Sequence, residues 1–175
     1  MYSREIVGQE RLKHRLKQII TEGQMPHCQL FIDSKGYGGL PLALYGALGL
    51  LHGFDAVEEA EKRGALSKKL LEHPDLHFVY PVINKGKGGS KAVSDDYKST
   101  WDDFVVHHPY GSTQDWIRQL DGGNKQGMIG VEEVAKIHQK MYLKAHNGGE
   151  KVMILFGADK LSENASNKLL KLLEE

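Results

Sequence analysis

Apolar residues recur at three- and four-residue steps in residues 9–22, where Leu12, Leu16 and Ile19 or Ile20 fall on one side of a helical wheel. That spacing predicts a helix with one apolar face, stopped by Gly23. Pro26 and His27 lead into CQLFI, residues 28–32, a short apolar run of buried-strand type. The glycine-rich turn DSKGYGG follows, and Leu40 opens a second helix. Strand, glycine loop and helix in that order begin an α/β unit.

The same alternation continues. Residues 55–72 read as a helix through Val57, Ala60, Leu66, Leu70 and Leu71, interrupted at Gly64 and stopped by His73-Pro74. LHFVYPV, residues 76–82, is rich in β-branched and aromatic residues and predicts a second strand. NKGKGGSK, residues 84–91, is a loop. Ser94, in a cap position with acids in the first turn, starts a helix in SDDYKSTWDDFVV, and Ser112 caps a short helix, TQDWIRQL. A short strand is expected around Met128 and Ile129, and VEEVAKIHQKMYLKA is a clear helix with Val131, Val134, Ile137 or His138, and Met141 on one side. Residues 152–155, in KVMILFGA, are the strongest candidate for a buried strand, and Ser162 caps a last amphipathic helix. No stop signal closes that helix, so the chain is expected to be cut from a longer protein. The pattern as a whole predicts an α/β domain with a mostly parallel sheet and helices on both of its faces.

Composition narrows the partners. The 175 residues correspond to one domain, or one and a part. Basic and acidic side chains balance at 23 each, which removes the bulk argument for nucleic-acid binding and leaves room only for a local patch. A single cysteine, Cys28, excludes an intrachain disulfide framework and a multi-cysteine zinc site. It reads as a packed thiol, since no base is paired with it. The longest apolar run, residues 40–51, contains Pro41, Gly46 and Gly49 and falls short of the ~20 residues a spanning helix needs. With no signal-peptide core at the N-terminus, a soluble cytoplasmic protein is expected. The nine histidines are read as solvated or hydrogen-bonded, with no metal site. His107 and His108 are adjacent and point apart, and His73 meets His77 only if the Pro74 turn brings them round. Trp101 and Trp116 are read as core or partner-facing residues.

Phosphate chemistry would sit in the glycine loop. A phosphate loop follows G-x-x-x-x-G-K-[ST]: backbone N–H groups cradle phosphate, the lysine meets the β and γ phosphates, and the hydroxyl holds magnesium. Here Asp33 takes the first glycine position. Gly36 and Gly38 remain, Gly39 stands at the lysine, Leu40 at the hydroxyl, and Pro41 follows in the first helical turn. The loop therefore keeps its turn while losing productive ATP binding, and no cofactor is expected. The second half of such a site is an acidic pair after a hydrophobic strand. Those positions are Phe156 and Gly157, which carry no carboxylate, and Asp159 reads as a loop or helix-entry residue. No catalytic residue is assigned. Two alternatives stay open. Lys35 could replace the missing lysine in an ATP-hydrolysing protein, although it lies on the wrong side of the glycines. Lys85, Lys87 and Lys91 could touch DNA phosphate.

Five segments together resemble the clamp-loader ATPases of bacterial replication, and most closely the delta-prime family of DNA polymerase III in its Bacteroidetes-type form. They are IVGQE from Ile6, MPHCQLF from Met25, GYGGLPLAL from Gly36, HPDLHFVYPV from His73, and the closing KVMILFGADKLSENASNKLLKLLEE. The resemblance implies a P-loop NTPase-like (AAA+) three-layer domain spanning residues 1–175, with a lid and a collar beyond it. It implies a subunit without a working nucleotide site, partnered by gamma/tau- and delta-type subunits and meeting DNA and the sliding clamp through the complex, with no membrane. Relatives often carry a four-cysteine zinc module that residues 50–72 lack, so no zinc is expected. The family's Ser-Arg-Cys element falls beyond Glu175, so no arginine finger is assigned.

Overall fold

The computed structural model describes residues 6–33, 36–63, 68–83, 91–120, 125–146 and 149–174. The elements run α1 (Glu10–Thr21), α2 (Gly39–His52), α3 (Phe54–Lys62), α4 (Lys68–Leu71), β1 (Leu76–Val79), α5 (Lys98–His107), α6 (Thr113–Gln119), α7 (Val131–Tyr142), β2 (Val152–Leu155) and α8 (Glu163–Glu174).

β1 and β2 pair in parallel, in register from Leu76↔Val152 to Val79↔Leu155. Successive strand residues face opposite sides of a sheet, and the two faces meet different helices. Leu76, Phe78, Val152 and Ile154 join a large core with α1, α2, α5 and α6. Val79, Met153 and Leu155 join a smaller one with α7 and α8. Helices thus cover both faces, as the alternation predicts for parallel strands.

The large core is organised by aromatic rings. Tyr80 stacks on Trp101 at 4.2 Å between centroids, and Trp101 meets Trp116 edge to face at 5.1 Å. Both tryptophans are buried, and the Trp116 indole N–H donates to the Pro81 carbonyl at 2.7 Å. That bond satisfies the one polar atom of the Trp116 side chain, whereas the Trp101 indole N–H is buried without a hydrogen-bond acceptor among the described residues.

Several expectations are corrected. Residues 28–32 form no strand: Leu30 is 78% and Ile32 86% exposed, and Cys28 is exposed as well. An apolar run becomes a strand only beside a ladder partner, and no described segment pairs with this one. β1 stops at Val79, short of Val82, because Tyr80 turns its backbone polar groups to the Ser94 hydroxyl at 3.1 and 3.2 Å and Pro81 has no N–H to give. Ser94 is consequently buried at the start of a 3-10 turn (Ser94–Tyr97) instead of capping a helix, and the Asp96 carboxylate accepts the Val93 N–H there. The helix expected over residues 55–72 is two helices, α3 and α4. β2 is half-buried, with Ile154 its one buried residue. The strand expected near Met128 reduces to two isolated bridges, Val82↔Met128 and Ile129↔Leu161.

Candidate functional site

The glycine loop enters α2 through an internal anion. Asp33 Oδ1 accepts the Tyr37 N–H at 2.8 Å, and Asp33 Oδ2 accepts those of Gly38 at 2.9 Å and Gly39 at 2.7 Å. The first N–H groups of a helix have no intrahelical acceptor and carry the positive end of its dipole. In a phosphate loop those donors face phosphate. Here a carboxylate of the same chain receives them.

Gly36 at φ 73° and Gly38 at φ 108° hold the turn in a region that side chains rarely adopt. The Tyr110 ring closes over Gly38, where a Cβ would come within 3.1 Å of it. The same phenol accepts the Val7 N–H at 2.8 Å. Gln9, at a left-handed φ of 60°, donates its amide to the Tyr37 carbonyl at 3.3 Å. The segment before α1, the loop and the residues after α5 therefore brace one another. Leu40 is buried, so the hydroxyl position is a packing position, and Pro41 fills the first turn, where no N–H is needed. Lys35 lies outside the described residues.

The end of β2 is equally committed to packing. Phe156 lies 5.3 Å from Trp101 between ring centroids, and its N–H donates to the Val79 carbonyl at 2.8 Å. Gly157 has φ 71°, and a Cβ there would come 3.0 Å from Thr113 Cγ2 and 3.2 Å from Pro81 Cγ. Gly157 has no room for a carboxylate side chain, and Phe156 spends its position on the aromatic cluster. Asp159 sits exposed in a 3-10 turn, paired with Lys160 at 2.8 Å, and borders a cavity of about 370 Å³ with Lys91, Met128, Glu132 and Ser162.

The remaining candidates disperse. Lys91 pairs with Glu132 at 3.1 Å, while Lys85 and Lys87 lie outside the described residues. His107 and His108 are exposed. His73 Nδ1 accepts the Asp75 N–H at 3.1 Å, and its ring meets that of His52, edge on, at 5.0 Å. Burial, with Lys140 and Lys151 nearby, holds the half-buried His77 below its ordinary pKa, against the opposing pull of Asp75 and Asp95. Among the described residues no group of three or more histidine, cysteine or acidic side chains is placed to hold a metal ion. The sequence reading missed Gln9 and Tyr110. No local signal marks either, since the Tyr110 contact to Val7 crosses 103 positions of chain.

A family model described as DNA polymerase III, delta subunit, matches residues 8–175. No curated protein and no solved structure gives a significant match.

Proposed function

The chain belongs to the DNA polymerase III delta-subunit family, and from that premise we propose that it is a delta-prime-type, ATP-silent member of a bacterial clamp loader, in the Bacteroidetes-type form. It assembles with gamma/tau- and delta-type subunits in the cytoplasm and helps to place the sliding clamp on DNA through the complex. It contributes a rigid AAA+-like domain and no chemistry of its own.

One observation carries the silent part of this reading: the cradle at the start of α2 already holds the Asp33 carboxylate, on three backbone N–H groups. Three further features agree with it. Gly39 offers no ammonium to a γ-phosphate, Leu40 no hydroxyl to magnesium, and Phe156 and Gly157 no carboxylate to either metal or water. A protein built this way folds its loop without nucleotide and suits a fixed place in an assembly.

Calorimetric titration with ATP and magnesium tests the silent site. Absence of binding up to millimolar nucleotide is the expected result, and micromolar binding overturns it. Co-purification of the full-length protein with gamma/tau- and delta-type subunits tests the assembly role, and failure to associate overturns that.

A further inference from the structure

We propose that Asp33 and Gly39 form one coupled device, a built-in anion plug in which the carboxylate occupies the phosphate seat and the glycine makes room for it. The proposal rests on reading this loop as the counterpart of a phosphate loop, and it goes further by assigning a cause to the silence. The loop excludes phosphate because it is filled, and the missing lysine is a consequence of the filling.

The geometry is specific. A Cβ on residue 39 would stand 2.7 Å from Asp33 Cβ and 3.2 Å from Asp33 Oδ2. The first of these distances is shorter than side-chain carbons tolerate, so no lysine fits at position 39 while Asp33 keeps its seat. Backbone conformation does not demand the glycine. Gly39 is absent from the positive-φ residues, unlike Gly36 and Gly38, and it begins a regular helix. What demands it is the Asp33 side chain.

The carboxylate is also electrostatically matched to its place. α2 has no acidic residue in its first turn, so Asp33 supplies the negative charge that the helix N-terminus favours. A phosphate oxygen seeking the N–H groups of Tyr37, Gly38 and Gly39 would have to enter the space of a group of its own sign. Two departures from the phosphate-loop pattern, six positions apart in sequence, are thereby a single structural choice.

A double-mutant cycle tests this. In the otherwise native chain, Gly39→Ala adds only a Cβ and is expected to lower the melting temperature. In an Asp33→Gly background the clash is gone and alanine is the better helix former, so the same substitution is expected to raise it. Anion binding gives a second readout, with inorganic pyrophosphate as the probe. The native chain is expected to show no binding up to millimolar pyrophosphate. Asp33→Gly is expected to bind it, and Asp33→Gly with Gly39→Lys about tenfold more tightly through the added charge-assisted contact. Should Asp33→Gly fail to fold, Asp33→Ala empties the seat while keeping an ordinary backbone, and it is expected to bind pyrophosphate where the native chain does not. Equal effects of Gly39→Ala in the two backgrounds overturn the coupling. Pyrophosphate binding that is indifferent to removal of the carboxylate at position 33 overturns the plug. ATP hydrolysis by the native protein would instead sink the silent-subunit reading, so the two failures are told apart.

Discussion

Ser112 illustrates how much one short side chain can fix. Its hydroxyl accepts the Asp115 N–H at 3.2 Å, while Asp115 Oδ2 accepts the Ser112 N–H at 2.9 Å, a reciprocal box at the start of α6. Hydrogen bonds from Ser112 hold the Asp115 carboxyl below its ordinary pKa. Ser112→Ala is expected to cost about 1 kcal/mol in thermal unfolding at neutral pH. It should also raise the Asp115 pKa, read by NMR titration. His77 acts in the opposite part of the pH scale. Its folded pKa lies below the unfolded 6.5, so the unfolded chain binds more protons in the interval beneath that value. Stability from this group is therefore complete above pH 6.5 and lost as pH falls through the folded pKa. His77→Gln should flatten that part of the stability curve, and an unchanged slope would show that the drop has another source. Gly157 gives the plainest residue-scale prediction for the site. Gly157→Ala pairs a left-handed backbone with a Cβ 3.0 Å from Thr113 Cγ2, and is expected to cost at least about 1–2 kcal/mol by denaturant melt.

At the scale of elements, pattern and capping chemistry settle the helices, while strands depend on what lies beside them. α1, α2, α6, α7 and α8 fall where periodicity and cap residues put them, because those signals act within a few residues of the element they specify. β2 spans residues 152–155 as expected, yet CQLFI, also read as a strand from its apolar residues, forms none. The difference is a ladder partner, which no single segment encodes. Ser94 was a cap by residue type, and became a buried partner of Tyr80 and of Glu133, whose carboxylate accepts the Ser94 N–H at 2.6 Å. The site divides in the same way. The absent lysine, hydroxyl and acids are legible position by position. The seating of Asp33 on three N–H groups and the bracing by Tyr110 require the folded loop. Asp75 joins elements in a comparable manner. It is buried, both of its carboxylate oxygens accept the His146 N–H at 2.8 and 3.0 Å, and its carbonyl accepts the Val152 N–H at 2.9 Å. The side chain thus ties the chain after α7 to the start of β1. Asp75→Ala should destabilise the protein by roughly 1–3 kcal/mol, with faster amide exchange at His146 as its signature. Exchange at His146 that stays slow would show that the tie is redundant.

For the whole molecule the decisive feature is an imbalance between its two sides. β1 and β2 are covered on both faces by helices, and the aromatic cluster around Trp101 fixes one of those faces firmly. The segment ahead of the glycine loop has no such cover. Leu30, Phe31 and Ile32 present apolar surface, and His27 Nε2 lies 2.9 Å from the Leu173 carbonyl near the end of α8, where Leu170 and Leu173 are exposed too. Exposed apolar side chains of this kind, on a segment with no ladder partner among the described residues, favour association between chains. The burial values separate that property from stability, because Leu30 and Ile32 contribute little to either core. Replacing both with lysine should leave the melting temperature of the 175-residue chain nearly unchanged, since exposed substitutions usually move stability by less than about 0.5 kcal/mol. The same change should reduce self-association in sedimentation and binding of a hydrophobic dye. A large fall in melting temperature would mean that these side chains are buried in solution, and that the segment 28–32 forms the strand that its sequence pattern predicts.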